Sequence, residues 1–195
     1  NGVMNFVAEM VTKGTTNRRA RALAEEVESM AGDVSGFAGR SSFGVSAEVL
    51  RRDLGQGLEL LADILREPTF EPDELEKKRA DLLAALKHED DDLFRVAFTL
   101  CTQRLFPDHP YGLRVLGTPE SITQLTRDDL LYWYRRYAIP NNLVLAIVGD
   151  VEADSIHRVV NQLFGSWHPA PLDLPPQGRA IRSAVNGPLI YQRHK

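Results

Sequence analysis

Five histidines (His88, His109, His157, His168 and His194) and one cysteine (Cys101) are the soft-metal and nucleophile candidates, and their spacing decides what they can do. No two histidines stand three or four residues apart, the separations that place two imidazoles on one helix face around zinc. One cysteine excludes a disulfide within the chain and every cysteine-based zinc framework. Cys101 follows Val96, Ala97 and Leu100 in a helical apolar stripe, so a buried, unreactive thiol is expected. The acidic run Glu89-Asp90-Asp91-Asp92 beside His88 lacks the alternating ligands and turn glycine of a calcium loop. It reads as a solvated corner between helices, with Asp92 as an N-cap. Gly39-Arg40-Ser41-Ser42-Phe43-Gly44 has neither the glycine spacing nor the following helix of a serine elbow, and reads as a hairpin turn. The glycines at 112, 117 and 149 form no phosphate-binding spacing. Only the acidic cluster and the His109 loop remain as polar groupings for an enzymatic site, and neither makes a catalytic constellation.

The elements that would position such groups are well punctuated. Residues 3 to 13 read as a first helix stopped by Gly14, and Arg18 to Ala31 as a second with Leu23, Val27 and Met30 on one face. From Asp33 the period changes to two: Phe43, Val45, Ala47 and Val49 alternate with polar or small residues, so a β-hairpin is expected. Asp53 is placed to cap a helix carrying Leu54, Leu58, Leu61 and Leu65, which Pro68 ends. Pro72 opens the next helix, with Leu75, Leu82 and Leu86 inward, and another runs from Leu93 to about Leu105. Thr126 to Asp129 has capping-box spacing before Leu130, Trp133, Tyr134 and Tyr137. Leu143 to Val148 is a continuous apolar run that reads as a strand in mid-sheet, followed by a helix from Ala153 to Phe164. The class is α+β, a mainly antiparallel sheet with helices packed on one face, and the few visible strands leave the sheet incomplete.

Composition narrows the function further. With 195 residues, 43% hydrophobic and 26% charged, the chain suffices for one sizeable core. Its 23 Lys and Arg against 27 Asp and Glu give a net charge of −4 with the bases interspersed among acids, so no nucleic-acid partner is expected. Leu143–Val148 is far shorter than the roughly 20 apolar residues of a membrane-spanning helix, and no membrane span is expected. The start at Asn1, directly before a helical pattern and without a leader, fits a processed or excerpted segment, and the compartment is not legible. Residues 1–165 read as the domain, the proline-rich 166–188 as a linker, and 189–195 as the start of a following strand or module.

The order of short motifs resembles one family over nearly the whole chain. Gly2 to Met10 followed by Lys13-Gly14-Thr15 resembles the first helix of the M16 metallopeptidases, the insulinase-like, pitrilysin-like and mitochondrial-processing-peptidase-like inverted zinc enzymes. Glu25 to Asp33, Leu60-Leu61-Ala62-Asp63 with Pro68-Thr69-Phe70, His109-Pro110-Tyr111-Gly112, Gly117 to Ile122, Tyr137 to Asn142 and Val148 to Val151 resemble its later landmarks in order. The resemblance implies the LuxS/MPP-like metallohydrolase fold. In active members the first helix carries His-x-x-Glu-His, two zinc-binding imidazoles and a general base, and a later helix resembling Glu-Arg-Glu-Val-Val-Leu-x-Glu supplies the last ligand. Here Asn5, Ala8 and Glu9 fall on the three motif positions, and the later helix reads Lys78 to Ala85, with Ala85 at the ligand.

The implied role follows from those changes. Zinc needs three protein ligands and hydrolysis needs a proton acceptor, so the resemblance implies a non-catalytic domain with no cofactor of its own, inactive alone. Such domains pair with a motif-bearing, zinc-holding M16 domain, on the same or another chain, and enclose a peptide or protein substrate in a metalloendopeptidase assembly. Ser35-Gly36-Phe37-Ala38 match the strand whose edge pairs with substrate in active domains. A scaffold subunit without a role in proteolysis is the alternative.

Overall fold

All of the first helix except Asn5 and Glu9 is apolar, which makes α1 (Val3–Val11) the element around which the others assemble. The computed structural model describes residues 1–174. Phe6, Val7, Met10 and Val11 lie in the main core with Leu60, Ile64, Phe70, Leu82, Leu86, Ile122 and Leu130. After α1 come α2 (Ala20–Ser29), the hairpin β1 (Asp33–Ala38) and β2 (Phe43–Glu48), then α3 (Leu54–Arg66) and α4 (Pro72–Asp91). The second half is helical: α5 (Leu93–Leu105), α6 (Pro119–Gln124), α7 (Arg127–Tyr137) and α8 (Ala153–Phe164). The class is α+β as expected, with the sheet among the described residues reduced to two antiparallel strands.

The hairpin lies directly on α1. Its register pairs Val34 with Ala47, Gly36 with Val45 and Ala38 with Phe43, and the two-residue period turns Val34, Gly36 and Ala38 inward while Asp33, Ser35 and Phe37 face out. The approach is as close as backbone allows. A methyl group added at Gly36 would stand 1.7 Å from the Ala8 carbonyl oxygen, so only glycine fits there. A second close pair sets where α1 begins: Gly2 (φ 77°) and Gly117 (φ 85°), both in the left-handed region, lie backbone to backbone.

Behind α1 the chain is held by a polar knot. Asp63 of α3 is buried, and its carboxylate accepts hydrogen bonds from Thr15 Oγ1 (2.7 Å), Asn17 Nδ2 (2.6 Å) and Arg18 Nη1 (2.7 Å). Arg18 also pairs with Glu26 of α2 at 2.7 Å. This knot ties the turn after α1 to two helices. Phe70 adopts a left-handed backbone (φ 48°), rare for an aromatic residue, and buries its ring edge-on against Tyr134 while its carbonyl accepts from Arg127. The Tyr134 hydroxyl donates to the Leu65 carbonyl, and burial pushes it well above the ordinary phenol range.

Helix punctuation follows the expected chemistry in most places. Pro72 occupies the first turn of α4, Asp92 caps α5 by accepting from the Phe94 and Arg95 amides, and Thr126 forms a capping box with Asp129. Three expectations are corrected. Asp53 makes no side-chain cap, because a short 3-10 turn at Arg51–Asp53 precedes α3 and its carboxylate pairs with Arg52 instead. Leu143–Val148 is not a sheet strand among the described residues: no neighbouring strand pairs with it, and Val144 and Val148 are 93% and 97% exposed. Cys101 is exposed, because α5 packs mainly on α4 and on the turn at Pro110–Gly112 and carries no buried residue. The Val96 and Leu100 side of that helix is half-buried, and Cys101 falls just past it. Most of the 166–188 linker and all of the expected strand start at 189–195 lie outside the described residues.

Two stability experiments follow. Gly36→Ala is expected to lower the free energy of unfolding by at least about 1–3 kcal/mol, the usual cost of overpacking, and an unchanged urea midpoint would contradict the close approach of β1 to α1. Burial pushes the Asp63 carboxyl up, but the bonds from Thr15, Asn17 and Arg18 outweigh it, and the carboxyl sits below its ordinary value. Arg18 holds Glu26 below its ordinary value as well. A carboxyl depressed in the folded state stabilises above its unfolded pKa and loses that contribution as pH falls through the folded value. The protein therefore weakens on acidification below about pH 4, whereas Asp63→Asn loses about 3 kcal/mol at neutral pH and shows a shallower acid limb in urea midpoints.

Candidate functional site

The candidate site gathers on the face of α1 that lies between β1 and α4. Asn5 and Glu9 are one helical turn apart and therefore share a face, with Ala8 beside them turned toward β1. Asn5 is buried, and its Nδ2 has no hydrogen-bond acceptor. Ala8 is buried. Glu9 is half-exposed, and its carboxylate lies 3.2 Å from the Lys78 ammonium of α4. Lys78 also reaches Asp81 on its own helix at 3.5 Å. Ala85, two turns farther along α4, is exposed. The neighbouring Arg79 sets the rotation of α4: its guanidinium stands over the Phe6 ring at 5.4 Å and donates to the Ile122 and Leu125 carbonyls.

These side chains do not fit a zinc ion. A tetrahedral zinc site with an open position needs three protein ligands carrying free lone pairs. What α1 and α4 present is a buried amide with an unmet donor, two methyl groups, and a carboxylate already engaged by an ammonium. Among the described residues no group of three or more His, Cys, Asp or Glu is placed to share an ion. Ala8 offers no atom to take a proton from water, and the one carboxylate on this face, Glu9, is engaged by Lys78.

The hairpin strand brings a different capability. β1 pairs with β2 along one edge, and among the described residues no strand pairs with the other. Ser35 and Phe37 face outward, and the half-exposed Phe37 ring lies across Gly44 of the facing strand. A free edge of this kind can accept an extended peptide through main-chain hydrogen bonds. Gly36 fixes that edge against α1 at Ala8, so strand and helix face form one unit.

The remaining polar groupings are taken up by structure. Glu89 and Asp90 pair with Arg114 at 2.6 and 3.5 Å, and Glu89 also meets Arg95. His109 caps a 3-10 turn, its Nδ1 accepting the Tyr111 amide. Ser41 and Ser42 sit in the hairpin turn, where Gly39 N–H donates to the Ser42 carbonyl, and Arg40 donates to the Tyr111 and Leu113 carbonyls. Reading residue types in order missed the part played by Lys78. The available signal was charge: an acid stands at position 9 and a base at position 78, each where the other motif has a different residue.

Comparison with known proteins adds the family context. Residues 1–119 match the family model described as Insulinase (Peptidase family M16), and residues 124–192 the model described as Peptidase M16 inactive domain. An uncharacterised zinc protease of Mycobacterium leprae is 30% identical over 165 residues, 85% of this chain and 37% of that protein. Subunit 1 of the mitochondrial cytochrome b-c1 complex of Bos taurus is 33% identical over 152 residues, 78% of this chain and 32% of that protein. The crystal structure of a peptidase M16 inactive domain from Pseudomonas fluorescens superposes with a TM-score of 0.78 at 22% identity, covering 89% of this chain and 43% of that one. The chain thus spans well under half the length of each.

Proposed function

The chain belongs to the insulinase family, peptidase family M16, and from that premise we propose that it is a non-catalytic domain that pairs with a zinc-bearing M16 domain to enclose and bind peptide. The carrying observation is the set of side chains at the motif positions. Asn5, Ala8, Glu9 and Ala85 supply an amide, a methyl, a carboxylate held by Lys78, and another methyl. Neither metal ligation nor proton abstraction follows from that set, and zinc belongs to the partner.

Binding remains physically available without chemistry. Within the segment Ser35, Gly36, Phe37 and Ala38, the main-chain groups of Gly36 and Ala38 face away from β2 and form the edge offered to an extended substrate, and their hydrogen bonds do not depend on which side chains α1 carries. In this reading residues 1–165 form the domain wall. The second reading, a scaffold subunit with no part in proteolysis, is favoured by one observation, the 33% identity to a subunit of a respiratory complex.

A reconstitution experiment separates the two. The purified chain alone should cleave no unstructured peptide, with or without added zinc. Mixed or fused with a motif-bearing M16 domain from the same genome, it should raise that domain's kcat/KM at least tenfold, and Ala38→Pro, which removes an N–H that faces away from β2, should reverse much of the gain. Stable association with partners that all lack the zinc motif, and no effect on any motif-bearing domain, would favour the scaffold.

A further inference from the structure

We infer that Lys78 takes over the electrostatic place of a metal ion at this locus, its ammonium offsetting Glu9 from within the chain, with Asp81 beside it, and closing the α1–α4 face to divalent cations. The inference rests on reading positions 5, 8, 9 and 85 as the altered motif. Its evidence is the placement of one side chain. Lys77 and Lys78 are adjacent on α4, yet the Lys77 side chain is 71% exposed and pairs within its own helix, whereas that of Lys78 is 19% exposed and crosses to α1. Of the two, only Lys78 links separate elements.

Less charge remains to be offset than in the family pattern. That pattern places carboxylates at the positions of Ala8, Lys78, Ala80 and Ala85, with neutral imidazoles at 5 and 9, so a dication offsets part of four negative charges. This chain keeps none of those four carboxylates. It has acids at Glu9 and Asp81, and the residue facing Glu9 in space has become a cation. An acid at position 78 would oppose Glu9, whereas Lys78 attracts it across the two helices. A divalent ion approaching Glu9 would meet an ammonium already 3.2 Å from that carboxylate, which repels a cation.

The test is a double-mutant cycle joined to zinc titration on the full chain. Glu9→Gln and Lys78→Met should each raise the unfolding constant roughly 3- to 10-fold in urea, with the double variant falling short of their product by about threefold or more. Zinc chloride should leave the melting temperature of the native chain unchanged and raise that of Lys78→Met, in which Glu9 and Asp81 stand unopposed; the double variant should respond less. Lys78→Arg keeps the charge and should behave like the native chain, and it serves if Lys78→Met does not fold. Additive effects in the cycle would overturn the inference, as would equal zinc responses in the native and Lys78→Met chains or a gain of zinc response in Lys78→Arg. Stoichiometric zinc on the native chain by equilibrium dialysis would also overturn it. Peptide cleavage by the isolated chain without zinc uptake would defeat the non-catalytic role and leave this inference standing.

Discussion

The contact between Gly36 and the Ala8 carbonyl is the constraint on which the rest of the structure depends. A strand can approach a helix this closely only where its residue has no Cβ, and once there it has almost no freedom to slide or tilt. The hairpin register then follows from the pairing of Gly36 with Val45, and the outward set of Asp33, Ser35 and Phe37 follows from the register. One glycine thereby decides which edge of the hairpin is open and how far it lies from the motif positions on α1. The polar knot at Asp63 completes the constraint from the other end, because it holds the turn leaving α1 to α2 and α3 through Thr15, Asn17 and Arg18.

Two ion-pair clusters of different character lie at the two ends of this unit. Asp63 is deeply buried and saturated by three donors, so its carboxylate is a structural anion whose loss would leave those donors unmatched. Glu9 and Lys78 are partly exposed, so their mutual attraction is modest and screened by solvent. Stability resides mainly in the first cluster. The second bears on chemistry, since it determines what charge α1 presents beside α4.

Much of this was legible in the residues. Gly14, Pro68, Pro72, Asp92 and Thr126 act locally, through φ preference or a hydrogen bond to a nearby amide, and local effects are readable from a single chain. The two-residue period around Phe43 to Ala47 likewise reports a half-buried hairpin. Leu143–Val148 and Cys101 show where such reading ends. An apolar run says that a surface wants cover, but not whether a neighbour lies against it, and here no strand among the described residues does so. Lys78 was hidden for a related reason: its partner lies on another helix, and charge complementarity across space has no period in the chain. The M16 resemblance identified the altered positions one at a time, while only the fold shows that two of them face each other.

Loss of catalysis and retention of the framework are separable because they draw on different atoms. Zinc ligation and proton abstraction belong to side chains on α1 and α4, and three or four substitutions remove them without changing any backbone path. In the proposed role, strand addition draws on N–H and C=O groups of β1, which every substitution except proline leaves in place. Catalytic substitutions in an M16 domain therefore leave the binding edge intact as long as α1 keeps its helical shape and position 36 stays small. An ion pair between Glu9 and Lys78 is compatible with that condition, because it spares α1 an unpaired acid facing α4 and leaves the Ala8 carbonyl, where Gly36 packs, untouched.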